Sequence, residues 1–426
     1  MTVTVFLVAL MGTMAIGTPI AFSLIACGLA LMLWMGNFDS TIVAQNLIVG
    51  ADNFQLLAVP FFILAGELMN AGGLSKRIIN FALACIGHLH GGLGYVAIVA
   101  SVIMAAISGS AAADTAALAS ILLPMMRRAG YDVPRSAGLM SAGGIIAPII
   151  PPSIGYIVFG VAANVSISQL FLAGIVPGLL MAVSLVTAWL IVSRRDRVQT
   201  LPRASFRERG RAFRDGFFAL VMPVIIMGGI KWGIVTPTEA AVLAAAYALV
   251  VGMLVYRELK PRMLYKVFLA AAETSAVVMF LISAALVSAW LITQANLPAE
   301  IAVVLEPFMG NKTVIMLLLM ALVMVVGTAL DFTPTVLILT PVLMPIIKQA
   351  GIDPVYFGVL FIINNAIGLI TPPVGIVLNV VCGIGRVPMG AVMRGVAPFL
   401  LAEAAIMFLL VFFPSLVLVP LAWLRG

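Results

Sequence analysis

Apolar runs of 15–30 residues recur along this chain, separated by short polar stretches. A run of about 20 residues spans a hydrocarbon core of about 30 Å. On that pattern, crossings fall at roughly 3–17, 19–35, 56–71, 135–162, 169–192, 217–235, 238–256, 265–293, 354–381 and 395–422. Two more apolar segments, roughly 93–126 and 312–348, are broken near their middles by small and polar residues and read as re-entrant hairpins. Gly17, Thr18 and Pro19 leave open whether residues 3–35 form a turn between two crossings or one kinked helix.

Composition narrows the class. Of 426 residues, 63% are hydrophobic and 9% charged, against about 25% charged in a soluble domain. The chain therefore reads as one all-α polytopic membrane domain in the lipid bilayer, with no soluble domain attached. The N-terminus lacks a basic region and reads as a first membrane helix, not a cleaved signal. Cys27, Cys85 and Cys382 are scattered, which implies no disulfide framework. His88 and His90 have no acidic or thiol partner nearby and make no metal motif.

A net charge of +7 raises the question of nucleic acid, and the placement of the charges answers it. Nineteen of the 23 Lys and Arg residues fall in loops on one face: the 76–77, 127–135, 194–214, 257–266 and 386–394 regions, with Arg195 and Arg197 among them. The other face holds Lys231, Lys312, Lys348 and Arg425. Such bias orients membrane proteins, so the basic face is expected in the cytoplasm of a bacterial inner membrane and the N-terminus in the periplasm. No nucleic-acid partner is implied. Residues 193–216 read as a basic cytoplasmic linker between two halves, 1–192 and 217–426.

The halves repeat. Leu122–Asp132 (LLPMMRRAGYD) matches Leu343–Asp353 (LMPIIKQAGID) at a shift of 221, which also carries Pro151-Pro152 onto Pro372-Pro373 and Pro177 onto Pro398. Ser108-Gly-Ser-Ala-Ala-Ala-Asp114 corresponds more loosely to Gly327-Thr-Ala-Leu-Asp331. An odd number of crossings, five, separates the hairpins, so the second copy is expected upside down. Inverted repeats of this kind place transport sites near the midplane, where interrupted segments meet.

The interruptions carry oxygen. Ser108, Ser110 and Asp114 mark one hairpin tip; Gly327, Thr328, Asp331 and Thr333 mark the other. Gly144 and Pro148 break the crossing at 135–162, and Asn364, Asn365 and Gly368 that at 354–381. Proline and irregular backbone free carbonyls, which survive at membrane depth only inside protein or beside a cavity. Hydroxyl, carbonyl and one carboxylate suit a hard monovalent cation; zinc and copper want His or Cys, and Mg²⁺ and Ca²⁺ more carboxylate. Na⁺ fits by elimination, with H⁺ on Asp114 or Asp331 as the rival, and helix capping is a compatible role for both aspartates. Ser153, Asn364, Asn365 and Thr371 are candidate substrate-cavity residues. Helix N-termini facing the cavity would attract an anion. Glu67, Glu239, Glu273 and Glu403 read as structural or interfacial.

At SGSAAAD, GGIIAPIIPPS, GTALDFTP and NNAIGLITPPVG the chain resembles the DctM-like large membrane subunit of TRAP transporters, over essentially its whole length. That resemblance implies an elevator-type architecture in which a mobile bundle holds both hairpins and both broken crossings. It implies two Na⁺ sites, one around Ser108, Ser110, Asp114, Gly144 and Pro148, the other around Gly327, Thr328, Asp331, Thr333 and Gly368. It also implies a small membrane subunit and a periplasmic solute-binding protein as partners, and an organic anion as substrate: a dicarboxylate, sialic acid or another sugar acid. Two Na⁺ ions crossing 100 mV would supply about 4.6 kcal/mol. No GxxxxGK[ST] motif offers ATP as an alternative. A stand-alone Na⁺/dicarboxylate symporter is the nearest rival, but no Arg lies at midplane depth to clamp a carboxylate. An intramembrane enzyme is disfavoured because both histidines lie outside the spans and no Asp cluster exists.

Overall fold

A computed structural model describes residues 2–194 and 198–425, so Arg195 and Arg197 of the basic linker lie outside the described residues. Those residues are helical, with no strand among them.

The chain opens with α1 (Thr2–Ala15) and α2 (Ile20–Trp34). The turn at Gly17 has φ +86°, and the Cys27 thiol reaches the Phe6 carbonyl at 3.8 Å. Residues 3–35 are thus an antiparallel helical hairpin, and the open alternative of one kinked helix is excluded. Then come α3 (Ser40–Ala51), α4 (Ala58–Ala71) and α5 (Leu74–Ile86). α3 and α5 are helices where the hydrophobic pattern places only connections, and α5 carries Lys76 and Arg77. α6 (Gly92–Ser108) and α7 (Ala111–Arg128) form the first hairpin, turning at Gly109 (φ +63°). α8 (Val133–Gly144) and α9 (Ile154–Ala163) are the halves of the first broken crossing, and α10 (Ile167–Ser193) returns.

The second half begins earlier than expected. α11 (Phe206–Lys231) takes in the last part of the basic linker, because Ser205 and Glu208 close a reciprocal capping box there. α12 (Pro237–Val250) ends in a π-helical turn, and α13 (Pro261–Gln294) is followed by the short α14 (Leu297–Leu305). α15 (Lys312–Ala329) and α16 (Phe332–Gln349) form the second hairpin; α17 (Pro354–Gly368) and α18 (Ile376–Gly385) form the second broken crossing. α19 (Met389–Phe412) and α20 (Ser415–Arg425) replace the single span expected at 395–422, with the break before Pro414, which has no N–H to continue a ladder. Eight of the described helices are long and apolar enough to cross a membrane.

The repeat is visible in packing as well as order. α6–α10 correspond to α15–α19. Asp132 caps α8 and Asp353 caps α17 at matched positions, and Pro124 and Pro345 lie inside the matched helices α7 and α16. The copies interlock: α7 packs on α18, and α16 packs on α9. Each hairpin is therefore buttressed by the far half of the other copy's broken crossing. α4, α12 and α13 lie outside this bundle, with α4 packed against both of the others.

Candidate functional site

Four helices begin at one cavity. Its wall, enclosing about 210 Å³, includes Ala111–Ala113 at the start of α7, Ile154 and Gly155 of α9, Phe332 and Thr333 of α16, and Ile376 and Val377 of α18. Each start leaves backbone N–H groups that the helix itself cannot satisfy. Ser110 caps α7, Ser153 caps α9 and Asp331 caps α16, each accepting a backbone N–H bond; α18 starts after Gly375 with no side-chain cap. The four positive dipole ends give this wall a preference for negative charge.

The opposite ends supply carbonyls. α6 and α8 finish at Ser108 and Gly144, α15 and α17 at Ala329 and Gly368. Beyond Gly144 and beyond Ala366 the ladder tightens to three-residue bonds, such as Ala147 N–H to Gly144 O (3.1 Å) and Thr371 N–H to Gly368 O (3.0 Å). Both Pro-Pro bonds that follow, Pro151-Pro152 and Pro372-Pro373, are cis.

At the first hairpin the tip residues come together. The Ser108 hydroxyl donates to Asp114 Oδ1 at 2.5 Å and accepts the Ser110 N–H at 3.2 Å. Gly144 abuts Thr115, so close that a Cβ on Gly144 would overlap the Thr115 hydroxyl. Pro148 lines the cavity, and its carbonyl accepts the Ser153 hydroxyl at 2.7 Å. Asp114 itself is 1% exposed and is absent from the cavity wall; its Oδ2 has no partner. That oxygen's side chain lines a separate void of about 10 Å³ behind the tip, against α4 and α5.

The second hairpin is more open. Asp331 is exposed on the cavity wall, accepting the Phe332 N–H at 2.7 Å, and Thr333 lies beside it. Gly327 and Gly368 touch backbone to backbone: a Cβ on Gly368 would stand 2.8 Å from the Gly327 carbonyl carbon. Asn365 stands beside Gly327, its amide nitrogen donating to Phe332 O at 2.9 Å while Oδ1, near Gly327, is buried without a partner. Thr328 turns back onto its own helix, donating to Val325 O at 2.8 Å.

Four expected cavity residues stand elsewhere. Ser153, Asn364, Asn365 and Thr371 are not on the cavity wall. Ser153 is occupied as a cap, Asn364 donates to Met320 O at 2.5 Å across to α15, and Thr371 bonds to Ile367 O at 2.8 Å. Each of these side chains donates to a backbone carbonyl, while Asn364 Oδ1 and Asn365 Oδ1 are left buried without a partner.

The rest of the wall comes from helices the sequence reading did not associate with the site. Glu67 and Asn70 of α4 and Thr274 of α13 face the hairpin tips, and Gly66 brings α4 within 3.7 Å of Ser108 at the position of its missing Cβ. Glu67 and Asn70 are three residues apart, hence on one helix face; the spacing was visible, but not what it faced. Glu67, expected to be structural or interfacial, stands on the cavity wall. Glu239 completes a capping box with Thr236, and Glu403 is fully buried with both carboxyl oxygens unpartnered. No Lys, Arg or His lines the cavity, and no cluster of three His, Cys, Asp or Glu occurs among the described residues.

Comparison with known proteins places this arrangement. Residues 7–416 match the family described as the tripartite ATP-independent periplasmic transporter, DctM component. The chain is 52% identical over 425 residues, all of both chains, to the 2,3-diketo-L-gulonate TRAP transporter large permease protein YiaN of Escherichia coli. It is 39% identical, over 96% of each chain, to the sialic acid TRAP transporter large permease SiaM of Vibrio cholerae. It is 36% identical, over 90% of each, to the C4-dicarboxylate TRAP transporter large permease DctM of Pseudomonas aeruginosa. Among solved structures, the YdaH transporter of Alcanivorax borkumensis shares the fold, with a TM-score of 0.65 at 15% identity, over 91% of this chain and 89% of that one.

Proposed function

The chain belongs to the DctM component family of tripartite ATP-independent periplasmic transporters, and we propose that its cavity carries an organic anion, coupled to Na⁺, across the bacterial inner membrane. The observation that carries this reading is the convergence of four helix N-termini on one cavity that has no basic side chain. Backbone dipoles can hold an anion there without a buried Lys or Arg, which is expensive at membrane depth. Such a site is general for carboxylates, and fine recognition then falls to a periplasmic binding protein that delivers the substrate, with a small membrane subunit completing the complex. The relative with 52% identity is named for a sugar-derived keto acid, which favours a sugar acid over a dicarboxylate.

Two cations would neutralise the acidic side chains at the hairpin tips. The first position is at Asp114 with Ser108, Ser110, Gly144 and Pro148 as its surroundings, the second at Asp331 with Gly327, Thr328, Thr333 and Gly368. Both tips offer only oxygen ligands, as a hard cation requires. The interlocked hairpins and broken crossings move as one body past α4, α12 and α13, carrying substrate and ions between the two faces. The basic loops lie in the cytoplasm and the N-terminus in the periplasm.

Asp331→Ala is the direct test. Asp331 is exposed and caps one N–H, so its loss should lower stability by only about 1 kcal/mol. In proteoliposomes holding the complete transporter with its binding protein, Na⁺-driven uptake should nevertheless fall to background. Full uptake by this variant would remove Asp331 from the site.

A further inference from the structure

We propose that Glu67 is a release residue: a negative charge fixed on α4 that the transported anion meets at one end of the bundle's travel only, and that expels it there. The role rests on the anion and moving-bundle readings given above, and follows from which wall of the cavity each charge stands on.

The cavity has two kinds of wall. The starts of α7, α9, α16 and α18 belong to the bundle and travel with whatever they hold. Facing them, Glu67 and Asn70 come from α4 and Thr274 from α13, which lie outside the bundle. Glu67 and Asp331 are the charged side chains of the lining. Asp331 starts α16, so it accompanies the anion throughout, together with the cation that neutralises it. Glu67 stays behind, half-buried, and no Lys, Arg or His of the lining offsets its charge.

The bundle in this structure stands at the end of α4 that carries Glu67. Ser108 lies 3.7 Å from the place a Gly66 Cβ would take, and Ser108 and Asp114 share a small void with Met69 and Asn70 of α4 and with Ser75 and Ile78 of α5. The corner beyond leads directly to Lys76 and Arg77 of the basic face, so this is the cytoplasmic end of the travel. Toward the other end α4 offers nothing comparable: Ala58–Gly66 reads AVPFFILAG, without a charge. Nine residues of helix are about 14 Å long, so a bundle shifted that way takes its anion well away from the carboxylate.

Affinity then depends on position. A space of about 210 Å³ is only about 7 Å across, and two like unit charges at that separation and an effective dielectric of about 20 change an affinity by roughly 50-fold. At the periplasmic end the four helix starts hold the anion unopposed; at the cytoplasmic end they hold it against Glu67. Repulsion from the fixed part makes no bond between it and the bundle, so the emptied bundle is free to return.

Trans-inhibition reads this end of the travel directly. Proteoliposomes holding the complete transporter take up an anion delivered outside by the binding protein, and the same anion preloaded inside rebinds at the cytoplasmic end and slows uptake. The probe is whichever of gluconate, glucuronate, sialic acid and succinate the wild type takes up in Na⁺. Glu67→Gln should lower the internal concentration that halves uptake by about tenfold or more, and Glu67→Asp, which keeps the charge, should stay near wild type. Asn70→Asp, which adds a second charge to the same wall, should raise that concentration and decides the matter if Glu67→Gln does not fold. An unchanged or higher value in Glu67→Gln, or an unchanged value in Asn70→Asp, overturns the release role while leaving the anion reading intact. A wild type that takes up none of the four probes overturns the anion reading and the release role with it.

Discussion

At the scale of single residues, the site is set by how closely atoms approach across the broken segments. Gly144 has the Thr115 hydroxyl where its Cβ would be, and Thr115 is fully buried. Gly144→Ala should therefore destabilise the protein by about 1–3 kcal/mol, the usual penalty of overpacking. Thr115→Ala in the same chain should restore most of that loss, which thermal unfolding of the single and double variants will read. If the double variant remains as unstable as Gly144→Ala, the clash is not the cause. The tip residues Ser108, Ser110, Asp114 and Asp331 could be picked from sequence because small polar residues inside an apolar run have few other reasons to be there. Thr115 could not, since a threonine in a helix ordinarily bonds to its own backbone, and only the structure shows its hydroxyl left without a partner. Asn70 and Glu67 escaped for a different reason. They lie on a helix that reads as an ordinary crossing, and what they face is decided by the packing of α4 on the first hairpin.

At the scale of elements, the elements easiest to see in the sequence are those that break. Glycine, serine and proline interrupting a hydrophobic run mark both hairpins and both discontinuous crossings, and the matching order at a shift of 221 marked them twice. α3, α5 and α14 were not visible in this way, because they are short, at 12, 13 and 9 residues. A span needs about 20 apolar residues, so a search for spans passes over helices of this length. The close crossing of α8 and α19 was equally hidden. Gly138 and Gly395 meet there, and a Cβ on Gly138 would stand 2.5 Å from the Val396 nitrogen. Small residues let helix backbones approach where lipid offers no hydrophobic drive. Gly138→Val should push these helices apart and lower the unfolding temperature markedly, whereas Gly383→Val, where nothing stands within 4 Å, should leave it nearly unchanged. Equal effects would mean that the crossing does not depend on the glycine.

At the scale of the whole molecule, the two halves have the same parts in the same order, and the direction of the second half depends on the parity of what lies between. From Asp132 to Gln294 the chain passes through the α8–α9 crossing, α10, α11, α12 and α13, an odd number, so the bases of the two hairpins belong on opposite faces. Both hairpin bases carry basic residues: the first hairpin ends in Arg127 and Arg128, and the second starts at Lys312, whose amine donates to the Gly351 carbonyl at 2.7 Å and closes the hairpin base. Single cysteines placed in a chain freed of Cys27, Cys85 and Cys382 can test this arrangement in intact cells with a membrane-impermeant maleimide. Cysteine at Asn311 should react from outside, and cysteine at Arg207, beside the capping box of α11, should react only after the membrane is opened. Both positions labelling from the same side would mean an even number of passes. The four helix starts would then no longer belong to two oppositely oriented copies, and the cavity would lose the pseudo-symmetry on which the proposed alternating exposure of an anion site depends.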